Sequence, residues 1–195
     1  MLAAVILAAG ESRRMGQPKA LLLYRGRAFL EHLIAVTHHP RISLTRVVLG
    51  AGAEEIREKL KLDPAGVVIN PDWEKGQLSS IQAALRSLPQ GMTEGILLCL
   101  VDHPLISADL VGSLIEHFDS SGKPIVIPTY KGKRGHPVIL RSALYDELLA
   151  APLDLGARAV VWTHAAGVLE VPTDEEGVIL NLNDPETLKR AMADS

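Results

Sequence analysis

The sequence predicts an α/β fold in three layers, with a mostly parallel central sheet between two layers of helices. Short apolar runs alternate with segments of helical periodicity along most of the 195 residues. Strands without polar residues are typical of parallel sheets that are covered on both faces. Aromatic residues make up only 4% of the chain and apolar residues 47%, so we expect a core of aliphatic side chains.

The first part of the chain predicts four strands, each followed by a helix. In every pair, an apolar run precedes a segment whose apolar residues recur every three or four positions. Ser107 stands directly before the fourth helix and is its expected N-cap. The predicted strands are 3–7, 46–49, 67–69 and 96–101, and the predicted helices are 29–37, 53–62, 79–88 and 108–118.

After residue 120 the predicted elements become shorter. Pro185 lies in the first turn of the expected terminal helix, a position that proline favours. No repeat, low-complexity tract or linker interrupts the sequence, so we expect a single domain over residues 1–195. The predicted strands here are 125–127, 138–140, 168–171 and 178–180, and the other predicted helices are 142–150 and 156–163.

Composition and charge exclude several classes of protein. Lys and Arg total 20 against 23 Asp and Glu, a net charge of −3. Such a chain has no basic field to hold nucleic acid or an anionic membrane. The apolar start, residues 1–9, is too short to span a bilayer and has no basic region before it, which predicts a cytoplasmic protein. The single cysteine, Cys99, lies in an apolar run and predicts a buried, inert thiol.

A glycine-rich basic loop follows the first strand. Small residues at positions 8–10 let a nucleotide approach the backbone closely, and the amides of such a turn can bind an anion. Arg14 and Lys19 can then hold phosphate oxygens. Residues 11–27 contain five basic residues and one acidic residue. The spacing matches neither a P-loop nor the G-x-G-x-x-G dinucleotide motif, and the alternative is an ordinary surface loop with scattered arginines.

Asp102 comes directly after the fourth predicted strand. Ligands of open α/β sheets bind beyond the carboxyl ends of the strands. A carboxylate in that place can hold Mg²⁺ against triphosphate oxygens, because Mg²⁺ combines one or two carboxylates with phosphate and water. The alternative role, a helix cap, suits Ser107 better. His103 is expected to be a turn residue and not a metal ligand.

Residues 7–19 resemble the signature L-A-A-G-x-S-x-R-M-G-x-P-K of the nucleotidyltransferases that act on molybdopterin. The similarity continues, in the family's order, through residues 70–81, 101–104, 134–137, 153–158 and 181–186. The Gly-His-Pro and Asp-x-Gly-Ala-Arg segments are closest to the molybdenum cofactor cytidylyltransferase branch. The resemblance implies a Rossmann-like nucleotidyltransferase fold and transfer of CMP from CTP to molybdopterin or its molybdate-loaded form, with Mg²⁺ as cofactor and release of pyrophosphate.

The resemblance also implies the residues of the site, with a nucleotide-binding half over about 1–120 and an acceptor-binding half over about 121–195. The attacking group is a phosphate of the acceptor, already an anion, so no activated side-chain nucleophile is needed. The implied catalytic residues are Arg14, Lys19 and Asp102; the nucleotide pocket adds Leu7, Ala8, Ala9, Gly10, Gly76 and Ser80; the acceptor site has His136, Asp154 and Arg158; the metal ligands are Asp102 and Asn183.

Two positions separate the cytidylyl and guanylyl branches of this family. The cytidylyl pattern carries Asp-x-Asp-Thr-Pro where this chain has 181–185 with Asn183 at the metal position, and Asn-x-Asn-Thr-Pro belongs to the guanylyl branch. Asn183 can coordinate through its amide oxygen but adds no charge, and Asp184 can serve as a helix cap instead. By contrast, Ala9 matches the cytidylyl branch, because the guanylyl branch reads L-A-G-G there.

Several alternatives remain open at this point. They are GMP transfer to the same acceptor, transfer to a sugar phosphate or other small phosphate, and a non-catalytic homologue that delivers nucleotide or cofactor to a client. The implied partners are CTP or GTP, a molybdopterin-type phosphate acceptor, and a molybdoenzyme or its maturation chaperone. Three of the predicted site segments also have a purely structural alternative. Ser79 can be an N-cap, and Asp154 and Arg158 can form an i,i+4 pair across a helix start. The five basic residues of 123–141 can form a solvated hairpin that does not hold the acceptor phosphate.

Overall fold

The structure is a computed structural model that describes residues 1–193. Strands and helices alternate along this part of the chain, as the sequence predicts. Its strands are β1 (Leu2–Ala8), β2 (Leu23–Tyr24), β3 (Arg27–Ala28), β4 (Ile42–Leu49), β5 (Val67–Ile69), β6 (Gly95–Leu100), β7 (Ile125–Tyr130), β8 (Lys133–Arg134), β9 (Val138–Arg141) and β10 (Val168–Pro172). Its α-helices are α1 (Phe29–Val36), α2 (Ala53–Leu60), α3 (Gln77–Ser87), α4 (Ala108–Ser121), α5 (Tyr145–Ala150), α6 (Arg158–Thr163) and α7 (Pro185–Ala193).

The main sheet is mostly parallel, which confirms the predicted fold class. Its order is β10-β7-β9-β6-β1-β4-β5, with β8 paired to β7, and β2 and β3 form a separate hairpin. β9 runs antiparallel to both β6 and β7, so β6 and β7 run in the same direction. The carboxyl ends of the parallel strands therefore meet at one edge of the sheet, and the amino end of β9 lies at that edge too.

The side chains of β1 alternate between two cores, one on each face of the sheet. Leu2 and Ile6 enter a core that also contains residues of α1 and α4. Val5 and Leu7 enter a second core with residues of α3, α5 and α6. These two cores make the three predicted layers, and all of β1 is buried between them. Cys99 lies inside the sheet, and burial raises the pKa of its thiol to about 12, in agreement with the predicted inert thiol.

One predicted strand is wrong. Residues 178–180 do not form a strand, and the chain instead makes a 3₁₀ turn at Glu176–Val178. Gly177 approaches Leu105 so closely that a Cβ atom would lie 1.7 Å from its carbonyl oxygen. Within the turn, the Val178 and Ile179 amides donate hydrogen bonds to the Glu175 and Glu176 carbonyls. The Val178 carbonyl accepts from the His136 amide, just before β9, at 2.8 Å.

Other boundaries differ by a few residues for local reasons. β4 begins at Ile42 and not at 46, because its first half is only partly buried and includes polar residues. The stretch between the predicted strands 125–127 and 138–140 contains a further strand, β8, which folds back on the end of β7. α6 begins two residues late because Gly156 adopts a positive φ of 69°, which is outside the helical region.

An ion-pair network lies at the opposite edge of the sheet, where β1, β4 and β6 begin. The Arg41 guanidinium contacts Glu94 at 2.9 Å and Asp119 at 2.6 Å. The amino group of Met1 lies 2.8 Å from Glu94. Hydrogen bonds from Arg41 and then from the amino terminus lower the pKa of Glu94 to about 2. This network joins four segments that are distant in sequence, those of Met1, Arg41, Glu94 and Asp119.

None of the helices within residues 1–193 combines the length and the apolar character that crossing a membrane requires.

Candidate active site

The loop after β1 is held by a hydrogen bond within the loop and by one from the loop after β4. The Ala9 carbonyl accepts a hydrogen bond from the Ala51 amide at 3.0 Å. Ser12 adopts a left-handed conformation with φ 57°, and its Oγ accepts from the Lys19 amide at 3.0 Å. This bond fixes the start of the short 3₁₀ turn Lys19–Leu21 and so places the Lys19 side chain at the carboxyl edge of the sheet.

Lys19, Asp102 and Asn183 converge at this edge. The Lys19 ammonium donates to Oδ2 of Asp102 at 3.1 Å and also to Oδ1 of Asn183. Asp102 follows β6, the neighbour of β1, and its carbonyl accepts from the Leu182 amide at 2.8 Å, which brings the segment before α7 into the site. The Lys19 and Asp102 side chains are only 15% and 20% exposed. Two oxygens that the sequence predicts as metal ligands thus face one positive charge.

This oxygen pair fits a divalent metal that also binds phosphate. A carboxylate and an amide oxygen are hard ligands, and both already face the position of a cation. Within residues 1–193, no group of three or more His, Cys, Asp or Glu side chains could hold a metal alone. The other ligands would therefore come from a nucleotide and water. Asp184 is not in this cluster, because it accepts from the Thr187 amide at 2.9 Å and caps α7.

A cavity of about 340 Å³ opens beside this cluster, a size within the usual range of small-molecule sites. A second cavity of about 240 Å³ shares two of its residues, Ser12 and Lys19, and adds Arg13, Arg14 and Asn183. Lys19 therefore lies where the two cavities meet, and Arg13 and Arg14 line only the smaller one. The larger cavity is lined by Leu7, Ala9, Gly10, Ser12, Lys19, Trp73, Glu74, Gly76, Gln77, Ser80, Leu100, Val101 and Asp102.

Most of the predicted nucleotide residues line the larger cavity, and Ala8 and Arg14 are the exceptions. Leu7 and Ala9 belong to the core on the α3 face, where the cavity opens, while Ala8 belongs to the other core. The alternation of side chains along a strand explains this difference. Arg14 lines the smaller cavity and is exposed.

Asn70 joins the end of β5 to the start of α3. Its Nδ2 donates to the hydroxyls of Ser79 and Ser80 at 2.9 and 3.0 Å. Ser79 donates in turn to the Gly76 carbonyl at 2.8 Å. The N-cap of α3 is Gly76, so the alternative role of Ser79 as the N-cap is wrong. The start of α3 therefore borders the cavity, with Gly76, Gln77 and Ser80 in its lining.

Two histidines, His103 and His136, lie close to Asp102. His136 precedes β9, and the antiparallel direction of β9 brings it to the same edge, with its ring 5.2 Å from that of His103. Nε2 of His103 is 4.0 Å from Oδ1 of Asp102. Burial, and then the neighbouring His103, lowers the pKa of His136 to about 4, and burial also lowers the pKa of His103. Both rings are neutral at pH 7. His103 forms the predicted turn, with its amide bonded to the Leu100 carbonyl at 3.0 Å.

Asp154 and Arg158 lie apart from this cluster. Both are exposed, and neither lines the two adjoining cavities. Arg158 donates to the Leu155 carbonyl at 3.0 Å and lies over the Trp162 ring. Asp154 precedes α6, and Arg158 is its first residue. The alternative of an i,i+4 pair across the helix start is not formed between these two described residues, since Arg158 bonds to the Leu155 carbonyl instead.

The basic segment 123–141 is mainly a hairpin. Arg134 pairs with Glu170 at 2.7 Å, and the Lys131 ammonium lies 4.9 Å from the centre of the Tyr130 ring. Both are exposed, as the solvated-hairpin alternative predicts.

Sequence reasoning missed six residues that line the cavity. Ser12 lies within the glycine-rich loop, Trp73, Glu74 and Gln77 lie within the segment 70–81, and Leu100 and Val101 lie at the end of β6. The signal that could have found them is the position of these segments at the carboxyl ends of parallel strands, since loops at that edge surround one ligand.

A family model described as the MobA-like NTP transferase domain matches residues 4–168. The chain belongs to this family. The match confirms the resemblance seen in the sequence, and it makes the protein an enzyme of the nucleotidyltransferase type.

Named relatives and solved structures cover most of the chain. It is 33% identical over 166 residues to nicotine blue oxidoreductase of Paenarthrobacter nicotinovorans, covering 79% of this chain and 78% of the relative. It is 31% identical over 196 residues to molybdenum cofactor guanylyltransferase of Cereibacter sphaeroides, covering 96% and 93%. The structure of Rv0371c from Mycobacterium tuberculosis superposes with a TM-score of 0.87, at 27% identity and coverage of 99% and 98%.

Rv0371c has also been solved in complex with manganese, with a TM-score of 0.80, 25% identity and coverage of 100% and 99%. This agrees with a divalent metal in the family.

Proposed function

We propose that this protein transfers CMP from CTP to the phosphate of a molybdopterin-type acceptor and releases pyrophosphate. The observation that carries the proposal is the convergence of Lys19, Asp102 and Asn183 where the two cavities meet. The Asp102 and Asn183 oxygens can hold a divalent metal, and the cavity beside them is large enough for a small-molecule ligand, which supports binding of a metal-bound nucleotide.

The triphosphate would lie along the basic end of the cavity. Lys19 and the amides around Gly10 would bind its oxygens. Arg14 is exposed and lines the adjoining cavity, where its charge also interacts with the Asp184 carboxylate. Its guanidinium is therefore able to turn toward phosphate oxygens and bind two of them at once.

In the reaction, an oxygen of the acceptor phosphate forms a bond to the α-phosphorus of CTP. The bond from that phosphorus to the oxygen shared with the β-phosphate breaks, and pyrophosphate leaves with the electron pair. No proton needs to be removed from an ionised phosphate, so the residues act by positioning and by charge. Mg²⁺, held by Asp102 and Asn183 when bound, would neutralise part of the triphosphate charge. Lys19 and Arg14 would stabilise the charge that develops on pyrophosphate.

We also propose that residues 1–120 bind the nucleotide and residues 121–195 bind the acceptor. The lining of the larger cavity runs from Leu7 to Asp102, which supports the first part. His136 belongs to the second part and lies beside His103. Asn183 is shared, because it comes from the second part and contacts Lys19. Asp154 and Arg158 would bind a more distant portion of the acceptor.

GMP transfer to the same acceptor is the second candidate. Asn183 stands where the cytidylyl pattern has aspartate, and the relative from Cereibacter sphaeroides is named a guanylyltransferase. Ala9, which lines the cavity, supports CTP, because its methyl group narrows the space beside the backbone.

The test is release of pyrophosphate by the purified protein with Mg²⁺, molybdopterin and each nucleoside triphosphate in turn. We expect turnover with CTP and little with the others. Preference for GTP would favour the second candidate, and turnover only with a sugar phosphate as acceptor would replace molybdopterin. Nucleotide binding without turnover by any acceptor would mean a carrier. Reduction of nicotine blue is the control for the activity in the name of the 33% identical relative.

A further inference from the structure

We propose that Trp73 is a binding residue whose indole ring stacks on the nucleobase. This inference rests on the proposed function, because it assumes that the larger cavity holds a nucleoside triphosphate. Trp73 lies in the 3₁₀ turn Trp73–Lys75 between β5 and α3. It lines the larger cavity and is half-buried.

The position of Trp73 is fixed by close packing on Gly50. A Cβ atom on Gly50 would come within 2.6 Å of both Cβ and Cγ of Trp73, and within 2.7 Å of the Ala9 carbonyl oxygen. Only glycine leaves room for this contact. The Trp73 side chain is therefore seated against the loop after β4, beside the loop after β1, and its ring is held in the cavity wall.

Lys19 is the only basic residue among those that line the larger cavity, and Trp73 lines that cavity and not the smaller, basic one. Lys19 and Ser12 belong to both cavities and mark the end where the triphosphate would bind. Trp73 lines only the larger cavity, together with apolar residues such as Leu7 and Leu100. A nucleotide whose phosphates contact Lys19 would therefore extend its base toward Trp73.

Stacking on an aromatic ring strengthens binding of any base, because every base has a π-face. Trp73 would contribute affinity, and the choice between bases would come from groups at the base edge. Glu74 and Gln77, which line the same cavity, carry polar groups for that edge. Loss of one base–aromatic stack weakens binding by roughly 5- to 150-fold.

The chain offers a direct test because it contains only two tryptophans. Trp162 is 63% exposed and does not line either adjoining cavity. A Trp162→Phe variant leaves Trp73 as the only tryptophan fluorophore. We expect saturable quenching of its fluorescence by a non-hydrolysable CTP analogue with Mg²⁺, and no comparable change with pyrophosphate and Mg²⁺.

Calorimetry on the tryptophan variants gives the second measurement. Trp73→Leu should bind the CTP analogue roughly 5- to 150-fold more weakly, Trp73→Phe should retain most of the affinity, and the matched control Trp162→Leu should bind as the wild type does. If Trp73→Leu does not fold, the fluorescence of Trp162→Phe still decides the question.

Two negative results have different meanings. Binding of the analogue by calorimetry without a change in Trp73 fluorescence, or with unchanged affinity in a folded Trp73→Leu variant, would overturn the stacking role and leave the proposed function intact. Failure of the wild-type protein to bind any nucleoside triphosphate would overturn the proposed function, and the stacking role with it.

Discussion

Replacing Asp102 with asparagine removes one negative charge from the site and hardly changes the shape of the side chain. The asparagine keeps an oxygen that can accept from Lys19, so the fold should survive. The site would then hold the Lys19 ammonium, or a divalent cation, with two neutral amide oxygens. We expect the variant to bind Mg²⁺ weakly in the presence of nucleotide and to turn over slowly.

The size of the effect follows from the geometry. Lys19 Nζ lies 3.1 Å from Asp102 Oδ2, which corresponds to an attraction of about 5 kcal/mol at an effective dielectric constant of about 20. The attraction to a doubly charged cation at the same point would be at least as large. Because the two side chains are 15% and 20% exposed, solvent screening makes the net effect smaller than this attraction. A net loss of about 2–4 kcal/mol corresponds to a fall of roughly 30- to 1,000-fold in kcat/KM.

The assay is pyrophosphate release at varied Mg²⁺ and CTP, combined with Mn²⁺ binding measured by electron paramagnetic resonance with a non-hydrolysable CTP analogue. Asp109→Asn makes the same chemical change at an exposed position of α4 and should leave both measurements unchanged. Thermal unfolding shows whether each variant is folded. A folded Asp102→Asn protein with kcat/KM within threefold of wild type would refute the role of this carboxylate.

Three further predictions concern other parts of the molecule. Asn183→Asp should tighten Mg²⁺ binding roughly tenfold, since it adds a charge to a hard-oxygen site; an unchanged Mg²⁺ dependence would place residue 183 outside the metal shell. Ala9→Gly should weaken discrimination against GTP by up to about fivefold, measured as the ratio of kcat/KM for CTP and GTP, and a wild-type preference for GTP would contradict the cytidylyl proposal. The third concerns Glu94, whose folded pKa of about 2 lies below its ordinary 4.5, so its contribution to stability is present above pH 4.5 and is lost as the pH falls toward 2. Since Glu94 is 53% exposed, that contribution is about 1 kcal/mol or less. In chemical denaturation, a Glu94→Gln variant should lose less stability than the wild type as the pH falls over this range. Equal losses in the two proteins would show that the contacts of Glu94 with Arg41 and the amino terminus are not responsible.

The sequence by itself determined the fold class and most of the elements. Apolar runs and helical periodicity are local properties, and they placed β1, β5 and β6 and four of the longer helices within a few residues of their observed bounds. The glycine-rich loop and Asp102 could also be located, because a polar residue after a buried strand lies at the carboxyl edge whatever the order of the strands.

Contacts between distant residues were decided only by the tertiary structure. Lys19 and Asn183 are separated by 164 positions, and their meeting depends on the backbone bond between Leu182 and Asp102. His136 reaches His103 because β9 enters the sheet antiparallel, a direction that no local pattern encodes. The predicted strand at 178–180 is wrong for a related reason, since this segment follows a turn that packs against Leu105 through Gly177, a contact that its own apolar residues do not encode. The local sequence limits which secondary structures a segment can form, and packing against distant segments decides which of them it adopts.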